Sequence, residues 1–449
     1  MNAQRRAASL LLGVILAACA NAPASPTPAG STQPPPSATP ALSPGRTAAA
    51  SATATPDPSP VPTTTASGLP AGSHHELVCS EDGTECQLHL YDVAGREQPG
   101  WPRDLVGGCW PQNLAVGTDG VAWIACRIDD QQVLFSAVDV SGASVPGWPI
   151  SATGYPLRVE VGRDGTVYLG TVNEAGDGIL SIHAFGPDGH PRAGWPMALP
   201  RTADFAIAPD GTVVGWWYEG VKEEEDGLCS GPQPARTKYT MIGPNGRTLP
   251  GRWPVTSIGN ATAPVIGKDG SLFYTSATAK VWGHDRGGNI IDGWPYQLPY
   301  AVPLELRPDG RLMFIVEDGT GSDSEVIVLT TAGRVASGWP YRTSSSLYGP
   351  QCCLDCCGSY FPHALAADGT LYLAPWDKDG AQVVALDQRG RVVTGWPYRL
   401  LPGWRVVALE MGSAGRLVVG LRDCSAQSEC CYSDASRQIT LTPAGELAP

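Results

Sequence analysis

Between Tyr155 and Leu199 the chain alternates apolar and polar positions in short runs. LRVEVG, TVYLGTV and ILSIHAFG each follow a period of two, and each is closed by a turn cluster, RDG, NEAGDG and PDG, before HPRAGWPMAL ends the segment. Period-two patterning between Gly, Asp and Pro punctuation predicts four short antiparallel strands, a to d, with the tryptophan on d. An Asp-Gly pair recurs between a and b at Asp119, Asp164, Asp210, Asp269, Asp309 and Asp368. Such pairs predict two-residue hairpin turns that need positive φ.

The closing phrase returns along the chain. Gly-Trp-Pro or a near relative stands at Trp101, Trp148, Trp195, Trp253, Trp294, Trp339 and Trp396, at intervals of 47, 47, 58, 41, 45 and 57 residues. A repeat of this length means a propeller or an array, and four strands per repeat select the propeller. The first unit has b, c and d only, and the last has a, b and c with a short GELAP in place of d. The reading is therefore all-β: one β-propeller of four-stranded blades over 74–449, eight-bladed, or seven-bladed if the terminal units merge. Seven tryptophans at one repeat position predict packing between blades, with each indole N–H satisfied at the rim.

The units resemble blades of quinoprotein-like (PQQ-like) bacterial propellers, through VYLGT, HAFGPDG and the closing Trp195, and again through VVALDQRGRVVTGWP at Trp396. The Gly-Trp-Pro phrase is also similar to that of integrin-like repeat propellers. Those carry an Asp-x-Asp-x-Asp-Gly calcium loop, whereas every copy here has a lone Asp-Gly. Neither metal nor cofactor is expected.

The N-terminus changes the picture from fold to location. Arg5 and Arg6 precede an apolar run from Leu10 to Leu16, then small residues ending in Cys19. This is the layout of an export signal, too short to span a bilayer. Leu16-Ala17-Ala18-Cys19 resembles the lipobox of bacterial lipoproteins. That resemblance implies a signal peptide at 1–18, lipidation of Cys19 and a lipid anchor on the extracytoplasmic side of a bacterial membrane, in the cell envelope. Residues 19–73 are rich in Ala, Pro, Ser and Thr, with Arg46 and Asp57 the only charges. Such a segment has too little apolar surface to order itself and predicts a disordered linker. The net charge of −13 argues against a nucleic-acid partner, which needs a concentrated basic surface.

Twelve cysteines follow the linker, an even number in an exported chain, which predicts disulfides. Cys79 with Cys86 and Cys109 with Cys126 are candidate local bridges. Cys229, Cys352, Cys353, Cys356, Cys357, Cys424, Cys430 and Cys431 sit in long excursions. In blade order all twelve map to b–c or d–a connections, hence to one face, and the longest insertions lie there too. Binding sites favour long loops on a rigid frame, so this face is the expected site. A cap tied through Cys229 follows as an expectation.

Outside the repeat set, Trp110, Trp217, Trp376 and Trp404 fall on the same face and are candidate platforms for a sugar or peptide. The run Glu223 to Asp226 reads as a solvated loop tip. Neither a nucleophile elbow, a phosphate loop nor a zinc-type His-Glu-x-x-His occurs, and no catalytic residue is assigned. These observations favour a binding or scaffolding module for protein or envelope glycan. The competing reading is a propeller enzyme, quinoprotein-like oxidoreductase or glycan-active hydrolase, with its site on the loop face.

Overall fold

A computed structural model describes residues 73–80, 85–92, 95–129, 131–173, 178–200, 203–220, 235–300, 302, 304–317, 323–347, 361–377, 380–412, 415–423 and 436–448. Among them the strands form eight antiparallel sheets that follow one another in chain order. No α-helix occurs among the described residues. The protein is a β-propeller.

The third sheet shows the unit: Tyr155–Val161, Val167–Val172, Leu180–Phe185 and Met197–Leu199 pair in sequence order. Sheets two to seven repeat this four-strand path, and the seventh adds a small hairpin at Trp376–Asp377. The first sheet has three strands, His74–Cys79, Cys86–Tyr91 and Arg103–Leu105; the eighth has Trp404–Met411, Leu417–Asp423 and Ser436–Leu441. These terminal sheets do not pair with each other among the described residues, where the strands make eight separate sheets. The GELAP segment contributes a single bridge, Leu447 to Leu441, and no fourth strand.

The Asp-Gly turns differ from the expected two-residue hairpins. In the third sheet Gly162 N–H donates to Thr166 O and Gly165 N–H to Gly162 O, and only Gly165 has positive φ. Asp164 keeps an ordinary backbone and accepts from Thr166 N–H at 3.0 Å. The same side-chain turn recurs at Asp119, Asp210, Asp269, Asp309 and Asp368. The aspartate is there for its carboxylate, which satisfies a turn N–H that no strand can reach.

Seven apolar clusters fill the seven interfaces between successive sheets. Each receives one repeat tryptophan, and the indole N–H then donates to a carbonyl in the next sheet's c–d turn. Trp148 reaches Pro187 O at 3.0 Å, Trp294 reaches Thr331 O at 2.8 Å and Trp396 reaches Pro443 O at 3.0 Å. Trp101, Trp195, Trp253 and Trp339 make the equivalent bond. Each ring buries roughly 200 Å², about 5 kcal/mol of transfer free energy, and loses no hydrogen bond in doing so. The preceding glycine has its own reason. Gly147 has φ 89° and a Cβ there would overlap the Asp188 carbonyl of the next sheet.

Candidate functional site

The repeat leaves one end of every sheet nearly uniform, with a–b and c–d turns of fixed design. The opposite ends carry the b–c and d–a connections, and there the copies diverge. Two disulfides stand at those ends. Cys79–Cys86 and Cys109–Cys126 each join directly opposed residues of neighbouring strands. They lie against one another: the sulfurs of Cys79 and Cys86 are 3.4 and 3.7 Å from Cys109 O. The other eight cysteines, with the cap expected at Cys229 and the run Glu223 to Asp226, lie outside the described residues, as do Cys19 and the linker up to residue 72.

The closest approaches between sheets join their a strands, such as Gly108–Val116 with Tyr155–Val161 and His363–Leu365 with Trp404–Met411. These strands carry charges that an apolar alternation would not call for. On the third sheet, Arg158 Nη1 lies 3.6 Å from Glu160 Oε1, and Nη2 lies 3.6 Å from Asp204 Oδ2 on the fourth. Arg158 Nη1 also donates to Phe205 O at 3.3 Å. Burial pushes the Glu160 and Asp204 carboxyls above their ordinary range, with Arg158 working the other way. The Tyr218 phenol is raised by burial and by the Asp204 charge.

A second pair joins the sixth and seventh sheets. His363 Nε2 is 2.5 Å from Glu305 Oε2, and Nδ1 is 2.9 Å from Phe361 O. Burial disfavours the imidazolium, but the Glu305 hydrogen bond and charge outweigh it, so His363 titrates above its ordinary value. With an acceptor at each nitrogen, the ring satisfies both as a cation.

Aromatic groups occupy neighbouring ends. The Arg405 guanidinium lies 3.7 Å from the Trp376 ring centre, and Arg127 lies 3.9 Å from that of Tyr155. Trp376 is fixed by reciprocal backbone bonds with Ser346, at 3.0 and 2.9 Å. Of the four candidate platforms, Trp110 is 37% exposed and Trp217 is 8% exposed. Trp217 belongs to the core between the third and fourth sheets, and its indole N–H donates to Glu219 at 3.3 Å. Trp404 is half-buried against the core of the last two sheets. The four therefore belong to the second, fourth, seventh and eighth sheets, and only Trp376 and Trp404 are on adjacent ones. Among the described residues no cluster of three or more His, Cys, Asp or Glu could hold a metal ion.

Arg158, Glu160, Asp204, Glu305, His363 and Arg405 were not singled out by sequence. Their signal was an ionisable residue inside an a-strand run such as LRVEV, where the repeat is otherwise apolar.

No known family model and no curated protein matches the chain. Among solved structures it is similar to a eukaryotic initiation factor, at 10% identity over 85% of this chain and 87% of that one, with a TM-score of 0.50. It is also similar to BamB from Moraxella catarrhalis, at 15% identity over 83% and 97% of the chains and a TM-score of 0.41. The periplasmic gluconolactonase PpgL of Pseudomonas aeruginosa gives 15% identity over 71% and 94% and a TM-score of 0.40. At such identities the first of these likenesses speaks for the fold alone.

Proposed function

We propose that the chain is a lipid-anchored, extracytoplasmic β-propeller that acts as a binding or scaffolding module for protein or envelope glycan. The observation that carries this reading is the contrast between the two ends of the sheets. One end repeats the same Asp-capped turn and the same indole bond from sheet to sheet. At the other, the Cys79–Cys86 and Cys109–Cys126 bridges, the Arg127–Tyr155 contact and the Arg405–Trp376 stack each occur once. A frame held constant at one end and varied at the other is how a rigid scaffold presents a recognition surface. The anchor rests on Leu16-Ala17-Ala18-Cys19, and the location in the cell envelope rests on the anchor.

Two experiments test the reading. Labelling with a clickable palmitate should mark the wild-type chain in the membrane fraction, and Cys19→Ser should abolish the label; an unlabelled wild type removes the anchor. Photo-crosslinking from the Arg405 and Trp110 positions in intact envelopes should give discrete adducts, absent when the crosslinker sits at the turn end, at Asp210. Equal adducts from both ends would defeat the assignment of the face.

One observation favours a second reading. Glu160 and Asp204 are two carboxyls of raised affinity for protons that share Arg158, and paired carboxyls are the tools of a glycan-active hydrolase. Release of reducing ends from envelope glycan that Glu160→Gln abolishes would establish it.

A further inference from the structure

In sheets two to seven the b strands are flanked by core on both faces; Ala122–Arg127 and Val167–Val172 are buried along almost their whole length. The first sheet differs. Cys86, Leu88 and Leu90 pack toward the second sheet, while the alternate residues face away and stay accessible. On His74–Cys79 the exposed set is His74, Glu76 and Val78, with Val78 44% exposed. The register continues this open face across the sheet, since Val78 lies opposite Gln87 and Gln87 opposite Asp104.

Three properties of this face point the same way. Its charge is acidic: Glu76 and Asp104 stand on it, and Glu85 lines a depression of about 460 Å³ beside Val78, Gln87 and Asp104. It carries an aromatic row, with ring centres of His74 and Tyr91 5.5 Å apart and those of Tyr91 and His89 5.7 Å apart. It also has a free edge. Ser80 N–H donates to Glu85 O, so by ladder alternation Val78, Glu76 and His74 bond to the neighbouring strand. The N–H and C=O of His75, Leu77 and Cys79 then point outward, to a side that no strand covers among the described residues.

We infer that the open face and free edge of the first sheet form a docking surface for an extended, Lys- or Arg-bearing segment of a partner protein. This rests on the binding-module reading and names its ligand class. The segment adds a strand to His74–Cys79, and its alternate side chains project over the acidic and aromatic row, where carboxylates and ring faces both attract cations. A basic saccharide could use the charge but not the edge, because it has no backbone N–H and C=O at strand spacing. The Cys79–Cys86 bridge holds the edge strand to its neighbour, so that the acceptor is formed before the partner arrives.

The test uses the detergent-solubilised full chain and a labelled (Lys-Val)5 decapeptide followed by fluorescence anisotropy. Saturable, salt-sensitive binding is expected. The double variant Glu76→Gln, Asp104→Asn should weaken it at least tenfold with an unchanged melting temperature, since both side chains are exposed. Methylating alternate amide nitrogens of the peptide, on its pairing edge, should abolish binding. Equal affinity of the double variant overturns the face, and equal affinity of the methylated peptide overturns strand addition. No binding of the decapeptide overturns the proposal as a whole. A glucosamine hexamer serves as the second probe. If it binds in a Glu76- and Asp104-dependent way and the decapeptide does not, strand addition fails while the binding-module reading stands.

Discussion

His363 has an acceptor at each ring nitrogen, Phe361 O and Glu305 Oε2, and so holds its proton more tightly than an ordinary histidine, although burial alone would loosen it. Two consequences follow. Replacing Glu305 by Gln removes the opposing charge and leaves burial in control, so His363 should move from above to below the ordinary value of about 6.5. An imidazole titration followed by NMR reads this directly; an unmoved His363 would show that Glu305 does not set it. Because the folded-state value is raised, the pair's contribution to stability is full below about pH 6.5 and is lost as pH rises through the folded value. The fall in melting temperature across that window should therefore be smaller in Glu305→Gln than in the wild type.

Arg307 is the other residue whose environment outruns the sequence. Its side chain is fully buried, Nη2 donates to Gly369 O at 2.6 Å, and Nε is 3.8 Å from Asp309. Burial pulls its affinity for the proton down, and Asp309 resists. In most other copies the same repeat position is Gly or Ala, as at Gly117, Gly162, Ala208, Gly267 and Ala366. Arg307→Ala should cost about 2–4 kcal/mol, from the vacated volume and the orphaned Gly369 carbonyl. Arg307→Met, which keeps the length and drops the charge, should recover part of that loss in a denaturant titration. A Met variant no more stable than Ala would mean that the charge itself holds the interface. Sequence could mark both residues as ionisable but could not supply their surroundings. His363 and Glu305 are 58 positions apart and meet only because their strands head adjacent sheets, and nothing in the run Arg-Pro-Asp-Gly at Arg307 tells a buried arginine from a solvated one.

At the scale of the element, most of the design was legible. Period-two runs gave the strands, and the recurring phrase gave the unit. The chemistry inside the phrase was less so. Tryptophan was read as packing, and it packs, but its glycine is equally specified: positive φ at Gly147 lets the chain approach the Asp188 carbonyl closely enough for the Trp148 indole to bond Pro187 O. The Asp-Gly turns were read for backbone angles, whereas the structure uses the carboxylate. The difference lies in geometry that composition does not encode, since both turn classes favour the same two residues. The phrase makes a quantitative prediction. Trp148→Phe keeps the apolar contacts with Trp123 and Phe135, whose ring centres are each 4.9 Å away, and loses the N–H bond, for about 1–3 kcal/mol. Gly147→Ala strains the backbone and drives its Cβ against the Asp188 carbonyl, which must shift, at a similar cost of about 1–3 kcal/mol although no side-chain atom is removed. Melting curves of the two variants should therefore drop by comparable amounts. A silent Gly147→Ala would show that the turn-to-strand approach does not fix the sheets.

For the propeller as a whole, repetition sets stability as well as shape. Each pair of successive sheets shares one apolar cluster and one indole bond, so removing a sheet's neighbour exposes a whole cluster, and interior sheets are doubly held. The terminal sheets are held on one side. The first presents Glu76, Val78, Gln87 and Asp104 to solvent. The eighth buries Leu417, Val419 and Leu421 toward the seventh, while Val418, Gly420 and Arg422 between them are half-buried. Among the described residues no apolar cluster joins these two sheets. Opening there exposes no shared core, which is the condition for a low-energy local fluctuation. Hydrogen exchange should order the sheets accordingly, with amides of Cys86–Tyr91 and Ser436–Leu441 exchanging faster than those of Val167–Val172 and Val213–Glu219. The Cys79–Cys86 bridge should make the two ends unequal. Under oxidising conditions it restrains His74–Cys79 against Cys86–Tyr91, so the first sheet should exchange more slowly than the eighth, and reduction should speed exchange in the first alone. Uniform protection across all eight sheets would mean that the terminal pair is sealed as tightly as the rest, and would remove the physical ground for treating the first sheet's open face as accessible to a partner.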